Sequence, residues 1–192
     1  MSDRHRLAHD WLDLSLPDNV VLDDGAWLYS AFAFLHHRSE RPVSVRIGAR
    51  SGVYVGSFFE LGPAGEVDIG RYCTLVGAII RTDGRVTIGD FSYLAHEVVI
   101  ADGPFPRPPT VGDVAGPGTH GPILGADVWV GMGAAIIGPV TIGDGAIIAA
   151  RSVVATDVPP YTVVAGNPAT VVKQLERPED SAGAWPIAAR GS

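Results

Sequence analysis

The chain is almost devoid of cysteine. Cys73 stands alone among 192 residues, so no disulfide framework can staple the fold, and a reducing compartment is expected. Long apolar runs are missing too. The longest uncharged stretch, residues 128–143, is shorter than the ~20 apolar residues of a membrane span, and Pro139 and repeated glycines interrupt it. The opening MSDRHRLAHDW has no apolar core of the kind a secretory signal needs, so a soluble, cytoplasmic protein is expected. Basic clusters and stacked aromatic platforms are also wanting. With a formal charge of −7, nucleic acid is not an expected partner.

Glycine and proline, by contrast, are plentiful, at 24 and 15 residues, and many of them fall in phase with one another. They therefore mark patterned corners and not disorder. The apolar content of 46% is enough for one domain with a sizeable core.

The phase is clearest over residues 123–157, ILGADVWVGMGAAIIGPVTIGDGAIIAARSVVATD. Leu124, Val130, Ile136, Ile142, Ile148 and Val154 lie six residues apart. A second lane of small or β-branched residues holds Val128, Ala134, Val140, Ala146 and Ser152. Gly125, Gly131, Gly143 and Ala149 follow the first lane. A period of six fits neither a helix nor a simple strand; it describes a short strand, a corner and another short strand, repeated.

Taken in order, residues 3–14 space Leu7, Trp11 and Leu14 as the stripe of a short amphipathic helix, ended by Pro17. Residues 20–37 read as an irregular first coil or a capping layer over the open end of the repeat. The repeat starts imperfectly with Val45, Ile47, Val53 and Phe59, and slips near residues 62–65. It slips by one residue again around 81–85, then returns at Ile88, Leu94 and Ile100. Such slips are expected of insertions at corners. Prolines and glycines crowd residues 102–122 and predict a long functional loop without strand or helix. Pro159 and Pro160 close the last coil, residues 169–177 are expected to form a short helix, and residues 178–192 a frayed tail. The division is thus 1–42 cap, 43–168 repeat with its loop, and 169–192 helix and tail.

Over roughly residues 43–175 the chain resembles the hexapeptide-repeat acyltransferases. GPILGADVWVGMGAAI, VTIGDGAIIAARSVV and DVPPYTVVAGNPATVVK are similar to the closing coils of the maltose, galactoside and xenobiotic O-acetyltransferases. The resemblance implies an all-β fold, a left-handed parallel β-helix with three repeat units per coil. That hand departs from the usual right-handed crossover between parallel strands. It also implies a homotrimer with sites between subunits, acetyl-CoA or another acyl-CoA as co-substrate, and a small-molecule acceptor.

Acyl transfer from a thioester needs a general base, a donor for the developing oxyanion, and a cleft for the acyl carrier. Histidine suits the first role near neutral pH. His5, His9, His36 and His37 fall in the cap and are read as solvated or packed. His96, in YLAHEVVIAD, stands two places after lane residue Leu94, on an outward corner. It resembles the catalytic histidine of the UDP-sugar N-acyltransferases and nucleotide-sugar acetyltransferases, with Glu97 placed to orient it or to stabilise the imidazolium. The competing reading is an exposed corner residue facing a neighbour. The maltose and xenobiotic enzymes keep their base after the next lane residue, where this chain reads ADGPFPRP and has no histidine. His120 is therefore the reserve base.

One coil after His96 the backbone of Gly131, Met132 and Gly133 is expected above the imidazole, as an oxyanion donor or simply as a tight corner. The resemblance assigns the acyl-CoA arm to Trp129, Ala150, Arg151, Ala155, Thr156 and residues 165–169. Many relatives carry Lys where this chain has Thr156, so Arg151 or Lys173 must meet the nucleotide phosphates. Asp102 and Asp113 are candidates for acceptor hydroxyls or plain turn formers. A zinc carbonic anhydrase shares this helix but needs converging histidines, and Ala101 stands five places after His96. No metal is expected, and Cys73 is read as a buried thiol. The acceptor expected is a hydroxyl or amine on a sugar, nucleotide sugar or natural product. The alternative is a catalytically silent scaffold that binds a small molecule or a protein.

Overall fold

The computed structural model describes residues 6–103 and 120–177. Its strands form three parallel sheets in about six turns, the left-handed β-helix expected. Face 1 stacks Val20–Leu22, Val45–Ile47, Glu66–Ile69, Arg85–Ile88, His120–Leu124 and Thr141–Ile142. Face 2 stacks Trp27–Leu28, Gly52–Val53, Thr74–Leu75, Tyr93–Leu94, Trp129–Val130, Ile147–Ile148 and Thr162–Gly166, with Ala169–Gln174 added antiparallel at its end. Face 3 stacks Phe58–Leu61, Ile79–Thr82, Val99–Ala101, Ala135–Ile137 and Val153–Val154. A 3-10 turn, Ala31–Phe34, caps the base of face 3, with Phe34 stacked on Phe59 at 4.9 Å. Corner A joins faces 1 and 2, corner B joins faces 2 and 3, and corner C joins faces 3 and 1.

The two lanes read from the sequence are the core. Leu124, Val130, Ile136, Ile142, Ile148 and Val154 are at most 1% exposed, and Val128, Ala134, Val140, Ala146 and Ser152 are buried beside them. No single coil can bury these side chains; the coil above and the coil below do so, and their strands also satisfy its backbone. The glycines that follow the first lane serve this stacking. A Cβ on Gly89 would stand 2.5 Å from the Gly125 carbonyl, and one on Gly131 would stand 2.6 Å from the Ala150 nitrogen. They are bare because coils approach closely, not because their φ is positive.

Aspartates tie each coil to the one before it. Asp90 accepts the Arg71 N–H at 2.7 Å and Asp144 the Ala126 N–H at 2.8 Å, both at corner A. At corner C, Asp83 accepts from Ala64 at 3.0 Å, Asp102 from Gly84 at 3.1 Å and Asp157 from Thr141 at 2.7 Å.

Several expectations are corrected. Residues 6–14 form turns and bends, not a helix: Trp11 is 71% exposed, and Asp10 turns inward to accept from Ser30 and the Ala31 N–H. A stripe this short does not sustain a helix by itself. The expected terminal helix is the strand Ala169–Gln174, which suits its β-branched Thr170, Val171 and Val172. Of the two readings of residues 20–37, the first coil describes the start: Val20 pairs with Val45. His120–Leu124 is a strand of face 1, so the excursion is shorter than 102–122 at its far end. Its residues 104–119, and the tail 178–192, lie outside the described residues.

The slip around residues 81–85 also has a finer structure. Leu75 pairs with Leu94 and Ile79 with Val99, so corner B holds only residues 76–78 in that coil, against 95–98 in the next and 54–57 in the one before. One residue is deleted at corner B and extra residues sit at corner C; the sequence showed only their sum.

Candidate functional site

His96 lies at corner B, one coil above the shortened corner. Backbone hydrogen bonds fix the column: Glu97 donates to the Gly77 carbonyl at 3.0 Å, Gly133 to the His96 carbonyl at 2.9 Å and Arg151 to the Met132 carbonyl at 2.9 Å. Gly77, His96, Met132 and Ala150–Arg151 therefore stand one above another. His96, Glu97, Met132, Ala150 and Arg151 are exposed, so the column presents an imidazole, a carboxylate and a guanidinium to one side of the molecule. Among the described residues no side chain hydrogen-bonds to the His96 ring, Glu97 included.

The three amides above the imidazole divide by role. Gly131 donates to the Ile148 carbonyl at 2.8 Å and Gly133 to His96, so neither N–H is available to an oxyanion. Among the described residues the Met132 N–H has no partner. At corner A two of the equivalent amides, those of Arg71 and Ala126, are taken by Asp90 and Asp144. No residue of corner B is an aspartate.

His120 is exposed and opens a strand of face 1 opposite Arg85, at corner C. The width of face 3 separates it from His96, so one chain does not bring the two together. Thr156 follows Val153–Val154 and also lies at corner C, away from the column. Trp129 is 56% exposed on face 2, edge-on to Tyr93 at 6.4 Å. With Phe91, Asp127 and Val128 these two rings line a shallow pocket of about 350 Å³. Burial there pushes the Asp127 carboxyl above its ordinary value. Lys173 is exposed on the closing strand opposite Val163 at the end of face 2.

Other candidates resolve into structure. Asp102 accepts from Thr82 Oγ1 at 2.9 Å and from the amides of Asp83 and Gly84, the work of a turn former. Asp113 and His5 lie outside the described residues. His9 stacks on Trp27 at 4.1 Å and reaches the Leu28 carbonyl at 2.8 Å. His37 pairs with Ser44 Oγ at 2.7 Å, and burial holds its imidazole below the usual value. Cys73 is buried, 3.2 Å from the Gly89 carbonyl, and burial pushes its thiol up. Among the described residues no group of three metal-ligating side chains forms. The shortened corner beneath His96 escaped the sequence reading, although five residues instead of six from Leu75 to Ile80 mark it.

Residues 121–156 match the family described as "Bacterial transferase hexapeptide (six repeats)". The chain carries hexapeptide repeats. Over 52 residues it is 46% identical to a chloramphenicol acetyltransferase of Agrobacterium fabrum, covering 27% of this chain and 25% of that protein. The chain thus matches about a quarter of the length of that curated relative. A hexapeptide-repeat acetyltransferase of Vibrio cholerae, solved with acetyl coenzyme A, is 25% identical with a TM-score of 0.52, over 68% of this chain and 71% of that one. A hexapeptide transferase family protein of Anaplasma phagocytophilum shares the fold at a TM-score of 0.60 and 18% identity, over 83% of this chain and 81% of that one.

Proposed function

We propose that this hexapeptide protein transfers an acyl group, acetyl foremost, from acyl-CoA to a hydroxyl or amine of a small molecule, with His96 as general base. The corner B column carries the reading: an exposed imidazole lies directly below an unclaimed backbone amide and an exposed arginine. In this scheme His96 takes the acceptor's proton as its oxygen or nitrogen attacks the thioester carbonyl. The Met132 N–H meets the carbonyl oxygen as charge develops on it. Collapse expels the CoA thiolate, which takes the proton back from the imidazolium, and the Glu97 carboxylate steadies that cation. Trp129 offers a face for the acyl carrier, and Arg151 and Lys173 offer cations for its phosphates. Thr156 at corner C and the reserve base His120 fit only if a neighbouring copy brings them to the column, as a homotrimer with clefts between subunits does. The reading places the protein in the cytoplasm, on a sugar, nucleotide sugar or natural product.

The test is thiol release from acetyl-CoA over a panel of such acceptors. The His96→Ala variant is expected to lose on the order of 10²–10⁴-fold in kcat/KM with its melting temperature unchanged. Unchanged turnover in that variant sinks the assignment. A silent binding scaffold draws support from the unsupported His96 ring, and the absence of both turnover and CoA binding favours it.

A further inference from the structure

A groove of about 330 Å³ runs along corner B at the first coils, below the His96 column. Trp11, Tyr29, Phe32, Tyr54, Val55 and Phe58 line it. These include some of the most exposed large apolar side chains of the chain: Trp11 at 71%, Val55 at 55%, Tyr29 at 43% and Tyr54 at 41%. Phe32 and Phe58 meet edge to face at 5.6 Å, and Trp11 tilts over Phe32 at 6.4 Å. Among the described residues no charged side chain lines it, and the Ser30 hydroxyl is spent on Asp10 at 2.9 Å.

The groove is joined to His96 by bare backbone. An ideal Cβ on Gly56, a lining residue, meets Gly77 Cα at 3.4 Å, and one on Gly77 meets His96 Cδ2 at 3.6 Å. Gly56, Gly77 and His96 are therefore consecutive steps of one column. Positive φ does not explain the two glycines. Arg50, Tyr72, Phe91, Glu97, Asp127 and Arg151 hold φ between 56° and 60° with full side chains. At Gly77 the corner is also one residue short.

We propose that this groove and its glycine trench bind the acceptor, and that the acceptor is a molecule with a flat aryl body and a hydroxyl or amine at the end of a narrow arm. The aryl body lies among the rings of Trp11, Phe32 and Tyr54, where stacking and apolar burial hold it. The arm runs over Gly56 and Gly77. Two coils separate the groove floor from His96, so the arm spans about 10 Å at the usual strand spacing. A nucleoside diphosphate does not suit this surface: it needs cations, and the ionic group behind the groove is the Asp10 carboxylate, kept ionised by its hydrogen bonds to Ser30 and Ala31. The inference rests on the acyl-transfer reading for its chemistry and on the groove alone for its ligand.

The test uses phenylalkanols and phenylalkylamines of graded chain length. Saturation-transfer NMR reports binding without turnover, and thiol release from acetyl-CoA reports transfer. Binding is expected to weaken at least tenfold in Phe32→Ala, and transfer is expected to peak at the chain length that spans about 10 Å. Gly77→Asn fills the trench with a residue that accepts the left-handed conformation. It is expected to cut kcat/KM for the long-armed acceptor at least tenfold, with aryl binding and the KM for acetyl-CoA within twofold of the parent. Gly25→Asn, a positive-φ glycine at corner A, controls for conformation and is expected to change none of these. Absence of aryl binding, or equal turnover in Gly77→Asn, overturns the proposal. Transfer to sugar acceptors without aryl binding refutes this inference and leaves the acyl-transfer reading standing. Aryl binding without transfer to any acceptor upholds the groove and removes the enzyme.

Discussion

Corners A and B ask the same thing of the backbone and fill it differently. At both, one corner residue of each turn sits in the left-handed region, with φ between 54° and 79°. Corner A places Gly25 and Gly145 there but also Arg50, Tyr72, Phe91, Asp127 and Tyr161, and most of these side chains build on neighbours. Tyr72 and Phe91 stack at 5.1 Å, Arg50 lies over Tyr72 at 5.8 Å, and Arg177 lies over Tyr161 at 5.7 Å. Asp90 and Asp144 take its outward amides. Corner B places Gly56, Gly77, Glu97, Gly133 and Arg151 in the same conformation, and there the Met132 amide has no partner among the described residues. With the backbone held constant, side-chain content is a free variable. One edge spends it on cohesion, and the other leaves room and a donor for chemistry.

The largest way to test that contrast attacks corner A where it is tightest. Gly89→Ala drives a methyl into the Gly125 backbone and is expected to cost about 1–3 kcal/mol or more, read as a lower denaturation midpoint. Turnover per folded molecule should persist; its loss would mean that corner A serves the reaction too. A smaller effect comes from Asp90, whose carboxyl is held below the usual carboxylate range by the Arg71 N–H and then by its guanidinium. Its folded pKa is depressed, so its stabilisation is full above the unfolded value near 3.9 and disappears as pH falls through the folded one. Asp90→Asn is expected to lower the melting temperature at pH 7, with the gap from the parent closing below about pH 4. A gap that persists in acid shows that the carboxylate charge is not what holds the coil. The smallest effect is expected from Phe91→Gly, which makes corner A as bare as corner B. Loss of a ring stack costs about 0.5–1.5 kcal/mol, and relief of a left-handed conformation returns about 1 kcal/mol. The net change in chemical denaturation should stay below about 1 kcal/mol. A large loss would show that the ring ladder carries the fold.

The sequence was most legible where one physical demand repeats. Leu124 to Val154 must all be apolar at one spacing because each meets its counterpart in the next coil, and every one is buried as read. The helix expected at 169–177 failed because the β-branched run Thr170, Val171 and Val172 favours a strand, which pairs with face 2 instead. His96 could be placed on a corner by phase alone. The fate of the amides above it could not, because whether Gly133 or Met132 is spent depends on which coil stacks where. The deletion beneath His96 was masked by the insertion that follows it. The candidate groove unites Trp11, Phe32 and Tyr54 from three separate segments, which no local pattern connects.

Corner C shows a different economy. The turns there vary in length from coil to coil, yet aspartates of the following coil reach back to Ala64, Gly84 and Thr141. Corner A has its aspartates too, but its turns from 23–26 to 143–146 keep one length, and there the coils meet at glycine backbone. A carboxylate on a flexible stem can find its amide across turns of unlike shape, so a length change at corner C is sealed within its own coil. That edge is the molecule's port for foreign sequence: peptides grafted there should be carried without disturbing the register of the coils on either side.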